Sequence, residues 1–150
     1  MKKAIFLILI LSSVALAQSA RRYEAEMLKN PNEGGKDTRE VNAVLIFEKN
    51  SLKIDSRRKK ETFKEIDYAS IKHVEHSYSK TPLSTFITRS TVLTLLLADD
   101  LYDTRKEKHW LTILTEDDFV VLKIENDNYR LLRNEFLIRK LDVQDVNEDR

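Results

Sequence analysis

The sequence predicts an α+β fold that is mainly β, a curved antiparallel sheet capped by one C-terminal helix behind an N-terminal signal peptide. Short apolar, β-branched runs separated by charged turns recur from Val41 to Ile124, the pattern of strands. Helical periodicity is clear only near the end, where Tyr129, Leu132 and Phe136 fall on one face. The first seventeen residues have a different character from everything after them.

Lys2 and Lys3 form a positive start. Ala4 to Ala17 is then apolar except for Ser12 and Ser13, and it ends in Ala15-Leu16-Ala17, a small-x-small cleavage signal. Residues 1–17 therefore read as a secretory signal peptide, with Gln18 the first mature residue and a periplasmic or extracellular destination. The rival is an uncleaved anchor, but the run is shorter than the ~20 apolar residues that span a bilayer. Lipid attachment needs a cysteine at the cleavage point, and the chain has none. Cleavage would leave 133 of the 150 residues, enough for one core. It would also take the basic count from 26 to 24 against 25 acidic residues, a formal charge of −1. So balanced a chain has no global field to steer nucleic acid. Without cysteine, an exported domain must be held by burial alone.

Residues 18–40 read as a flexible N-terminal segment, with the loop-forming cluster Asn30 to Asp37 holding both glycines. Tyr23, Met27 and Leu28 offer only a short helix or strand contact. The domain proper is expected over 41–146, with 147–150 a tail. Val41–Phe47 and Leu52–Ile54 read as two strands about the turn at Asn50-Ser51. Arg57-Arg58-Lys59-Lys60 is a charged turn, Glu61–Ile66 the next strand, and Ile71–Tyr78 another after the turn-like Asp67 to Ser70. Thr81–Leu101 is ambiguous between helix and strand, because short apolar runs carry no decisive period. His109–Thr115 and Phe119–Ile124 are strands joined by the acidic turn Glu116 to Asp118. The final helix is expected to be capped by Asn126 or Asp127, with Leu131 and Leu137 widening its apolar stripe and Arg139 and Lys140 at its end. From Leu141 a short strand and a frayed tail follow.

The run Phe63-Lys64-Glu65-Ile66-Asp67-Tyr68-Ala69-Ser70-Ile71-Lys72-His73-Val74 resembles the strand-turn-strand segment of bacterial pleckstrin-homology-like (PH-like) and GRAM-like domains. There an Ile-x-Tyr-x-x-Ile pattern leads into a central strand, matched here by Ile66, Tyr68 and Ile71. Lys108-His109-Trp110-Leu111-Thr112-Ile113, followed by a hairpin and a helix opening at Asn126–Tyr129, is similar to small exported bacterial proteins of unknown function. The resemblance spans roughly Val41 to Val146 in order. It implies a PH-like curved sheet or barrel closed by the C-terminal helix. Glu65 before Ile66 and the Thr/Leu-rich insert depart from the family pattern.

No catalytic, cofactor or metal motif stands out. His73 and His76 flank Glu75, but strand alternation sends the two imidazoles to opposite faces. His73 and Glu75 share a face, and two ligands fall short of a structural zinc's four; both histidines read as ordinary surface residues. Trp110 and His109 also alternate, and Trp110 reads as a packing residue. By the resemblance, Arg57, Arg58, Lys59 and Lys60 are a candidate anion or lipid contact, since lipid-binding PH domains grip head-group phosphates with basic loop residues. The ordinary reading of such a run is a solvated turn, and export removes the cytoplasmic phosphoinositides. Phe86, Ile87, Val92 and Leu93 in the Thr85–Leu97 stretch are a candidate apolar contact; their ordinary reading is core, against which Arg89 argues. Glu116 to Asp118 and Asp99-Asp100 lack the pattern of a calcium loop.

The expected function is that of a non-enzymatic PH-like binding module acting after export. Its partner is a protein segment or a membrane surface, met through a sheet edge, the groove beside the helix or Thr85–Leu97, with no nucleic acid, metal or cofactor. The alternatives are a small hydrolase-type enzyme without a recognisable motif and a carrier of a small apolar ligand.

Overall fold

The computed structural model describes residues 20–29, 39–86 and 106–147. The expected signal peptide lies outside the described residues, as do Ile87, Val92 and Leu93. Eight strands form one curved, mainly antiparallel sheet: β1 (Arg21–Lys29), β2 (Arg39–Phe47), β3 (Ser51–Ser56), β4 (Thr62–Asp67), β5 (Ile71–Ser79), β6 (Lys108–Thr115), β7 (Phe119–Ile124) and β8 (Val143–Asp145). A helix, α1 (Asn126–Ile138), stands between β7 and β8, and a 3-10 turn (Tyr68–Ser70) joins β4 to β5. The order across the sheet is β4-β3-β2-β1-β7-β6-β5-β8. All pairings are antiparallel except the last, where β8 lies parallel to β5.

The strands form where alternation predicts them. Ala43, Leu45 and Phe47 of β2 face inward beside Leu52 and Ile54 of β3, while Lys53 and Asp55 point away. One buried cluster draws on all eight strands and on Leu132 and Phe136 of α1. The sheet therefore wraps its apolar face around the helix, which buries its stripe in the concavity.

Within the segment 18–40, expected to be flexible, residues 21–29 form a strand; the Asn30 to Asp37 cluster lies outside the described residues. β1 is a nine-residue strand paired along its length with β2 and joined by Ala25–Met27 to β7. It links the two halves of the sheet, and Ala25 and Met27 enter the core. The helix departs from expectation at its N-cap and in the width of its buried stripe. Its N-cap is Glu125, with no side-chain cap bond, and Asn126 and Asp127 already lie in the first turn. Leu131 and Leu137 do not widen the stripe; both are about half exposed. The buried face instead holds Glu135, 2% exposed, between Leu132 and Phe136. Its carboxylate accepts from Arg21 at 2.7 Å, Tyr23 at 2.9 Å and Arg139 at 2.8 Å. A buried charge persists only when paired and hydrogen-bonded in this way.

Past α1 the chain reverses. Lys140 adopts φ 61, Lys140 N–H donates to the Leu137 carbonyl at 2.9 Å, and Leu141 N–H donates to that of Phe136 at 3.0 Å. This is a Schellman turn. It returns Leu141 to the core and lays β8 on the exposed edge of β5.

Candidate functional site

The densest group of polar side chains sits where β5, β6, α1 and β8 meet on the inner face. The β5–β6 register sets His76 against Leu111 and Tyr78 against His109, so the two imidazoles are diagonal neighbours on one face. The β5–β8 register sets His76 beside Asp145 and Val74 beside Val143. Tyr129 and Arg133, one turn apart on α1, come down on the same spot.

His76 Nδ1 meets Asp145 Oδ1 at 2.7 Å and its Nε2 meets His109 Nδ1 at 2.8 Å. The Tyr129 ring stacks over both imidazoles, with centroids 3.8 Å from His76 and 4.7 Å from His109. Arg133 Nη1 donates to Asp145 Oδ2 and to the Tyr129 hydroxyl, both at 2.9 Å, and the Tyr129 hydroxyl donates to Asp145 Oδ1 at 3.2 Å. Because carboxylate oxygen accepts, His76 carries its hydrogen on Nδ1 when neutral, leaving Nε2 to accept from His109. Two facing ring nitrogens hold one hydrogen between them; a second would set N–H against N–H.

Burial pushes the His76 imidazole below its ordinary value, against the pull of Asp145. Burial does the same to His109, helped by His76. Burial works against the Asp145 charge, but the bonds from His76 and Arg133 outweigh it and hold the carboxyl below its usual range. His76 is thus not the surface histidine expected of it, being 7% exposed. His73 does face the other way, as alternation requires: it stacks on Phe86 at 4.0 Å.

The Asp145–His76–His109 chain resembles a proton relay in its geometry. Among the described residues, no serine or threonine hydroxyl bonds to His109. Nor, among them, do three His, Asp or Glu side chains converge to hold a metal ion. What the arrangement does is hold one carboxylate, by an imidazole, a guanidinium and a phenol at once.

The sequence-predicted contacts lie elsewhere. Arg57, Arg58, Lys59 and Lys60 are exposed on the β3–β4 turn, far across the sheet order from β5. Arg57 is paired with Glu24 at 3.0 Å and lines a cavity of about 210 Å³ with Glu26, Lys108 and Lys123. Lys123 there pairs with Glu40 at 2.7 Å and with Glu26. Burial and the neighbouring Glu26 raise the Glu40 carboxyl, while the neighbouring Glu40 and Lys123 lower Glu26 despite burial. Phe86 is half exposed at the end of a segment tied to the outer face through Glu75. That buried carboxylate accepts from Thr85 N–H at 3.1 Å and from the hydroxyls of Ser84 and Thr85. Trp110 packs on the outer face with Leu28 and Val121. Among the described residues no helix is long and apolar enough to cross a membrane.

Comparison with known proteins found no matching family model and no matching curated protein.

Proposed function

We propose that this chain is a non-enzymatic binding module of PH-like architecture that acts after export, and that it binds an extended protein segment by strand addition at the β5 edge. The PH-like reading is supported by the meander β4-β3-β2-β1-β7-β6-β5 and by a C-terminal helix filling the concavity. Export is supported by the sequence of residues 1–17. The observation that carries the binding reading is β8. It lies outside the meander, is three residues long, and takes an edge seat bounded by β5 and α1. A sheet edge whose seat is filled by so short a strand, with an apolar pocket and polar anchors beside it, is a setting in which an extended peptide can add.

The test is selection of a displayed heptapeptide library on the chain from Gln18 to Arg150, beside co-sedimentation with neutral and anionic vesicles. Enriched peptides should shift backbone amide resonances of β5 and α1. Vesicle binding with no peptide enrichment would replace the reading with a membrane-surface module. The absence of both would end it. The export reading is checked by mass spectrometry of the secreted protein, which should begin at Gln18; an intact Met1 would overturn it.

A further inference from the structure

The side chains of β8 report what its seat selects. Val143 and Asp145 both face inward, and Gln144 between them is exposed. Val143 is 2% exposed and belongs to the core cluster. Asp145 is held by His76, Arg133 and Tyr129. The backbone is gripped at two further points: Arg133 Nη2 donates to the Val143 carbonyl at 3.3 Å, and Val146 N–H donates to the His76 carbonyl at 2.7 Å. The groups that do the gripping all belong to β5 and α1, and β5 is paired on its other side with β6. The seat thus reads an apolar side chain, then any residue, then a carboxylate.

The resident strand is short. It makes a ladder of three residues on an edge, and Asp145 keeps 46% of its side-chain surface in water. Its tether is short, and Lys140 at φ 61 holds a conformation that costs a non-glycine residue energy. The site keeps its cation, Arg133, when the carboxylate leaves, and an unpaired guanidinium beside a vacated apolar pocket attracts a replacement of the same kind.

We propose that the β5–α1 groove recognises a partner's extended segment of the pattern apolar-x-Asp/Glu, and that β8 is the chain's own occupant of this seat, displaced when the partner binds. This inference rests on the strand-addition reading above and names the ligand class.

The test uses the mature full chain carrying Asp145→Ala, which weakens the resident, and a fluorescein-labelled peptide copying residues 141–147 as probe. Fluorescence polarisation should show saturable binding. The same peptide with Asn in place of the aspartate at the Asp145 position should bind at least tenfold more weakly. Adding Arg133→Ala to the protein, which leaves only His76 and Tyr129 on the carboxylate, should shrink that difference between the two peptides at least threefold. Wild-type chain, with its seat filled, should bind the probe more weakly than Asp145→Ala does. Equal binding of the Asp and Asn peptides would overturn the proposal, as would no binding by an Asp145→Ala chain whose circular dichroism is native. Library peptides that enrich without the acidic preference, or that map to β4, would refute this ligand class and leave the binding-module reading standing. Failure of the whole selection would remove both.

Discussion

Replacing Phe136 with alanine tests whether α1 is the plug that closes the sheet. The ring is fully buried, meets Phe47 edge-to-face at 5.3 Å, and Phe47 in turn meets Tyr23 at 5.8 Å. Phenylalanine-to-alanine changes in cores cost about 3–5 kcal/mol through lost transfer energy and the cavity left behind. Two features place this site in the upper half of that range. The aromatic contact adds about 0.5–1.5 kcal/mol beyond burial. The nearby Arg139 is also held by Glu135 over the Phe47 ring, 5.0 Å from its centroid, so it does not collapse into the hole. The expected loss is about 4 kcal/mol. Urea unfolding followed by far-ultraviolet circular dichroism would show the midpoint falling by roughly 2 M at a slope of ~2 kcal/mol/M. Leu137→Ala, on the solvent face of the same helix, serves as control and should stay within about 0.5 kcal/mol of the parent. A loss below about 1 kcal/mol for Phe136→Ala, or equal losses for the two, would refute the docking of the helix by this stripe.

Three further predictions concern charge and backbone. Because burial holds His76 and His109 below the ordinary imidazole value of 6.5, the unfolded chain takes up protons that the folded chain refuses. Stability should therefore be complete above pH 6.5 and fall as acid is added through and below it. Thermal melts of the parent and His76→Gln should show a shallower fall in the variant, and a parent that gains stability from pH 7.5 to 5 would contradict this. Lys123→Met strips the shared cation from Glu26 and Glu40 and should cost about 2 kcal/mol in urea unfolding, discounted from the fully buried case for partial exposure. Adding Glu40→Gln, which removes one of the two neighbouring carboxylates, should recover part of the loss, and no recovery would show that their repulsion is not what Lys123 relieves. Lys140→Gly should stabilise by about 0.5–1 kcal/mol, because glycine takes positive φ freely; a destabilised variant would show that the turn is not strained.

The strands from Val41 to Ile124 were legible because each is a short apolar, β-branched run that ends in charged or polar turn residues. β1 was not. Its inward positions are Tyr23, Ala25 and Met27, with the small Ala25 at the centre, and its outward Glu24 and Glu26 make the segment read as solvated. Those glutamates are balanced by Arg57 and Lys123, partners supplied by distant strands. The helix was legible in place but not in width. Leu131 and Leu137 stand only 100° from Leu132 and Phe136, yet the concave sheet covers a narrower arc, and the position a longer stripe would fill holds Glu135. The members of the Asp145–His76–His109 chain are each more than thirty residues apart in sequence. Only the β5–β6 register brings His109 beside His76, and only the turn at Lys140 brings Asp145 to them. A single sequence carries neither register nor turn sign at a lysine. It did carry the opposite facing of His73 and His76, which alternation alone dictates.

The sheet also has a small apolar patch on its convex side, and the chain's only tryptophan lies in it. Trp110 is 1% exposed, and its indole N–H donates to the Ser79 carbonyl at 3.1 Å. Its emission is therefore a spectroscopic reporter of the back of the sheet, insulated from the helix-filled front by the backbone layer of β6. A core substitution such as Phe136→Ala changes nothing that the indole touches directly. If tryptophan emission and circular dichroism nonetheless trace the same unfolding curve, front and back melt as one cooperative unit. Curves that separate would mean that the convex patch can come apart while the helix remains docked.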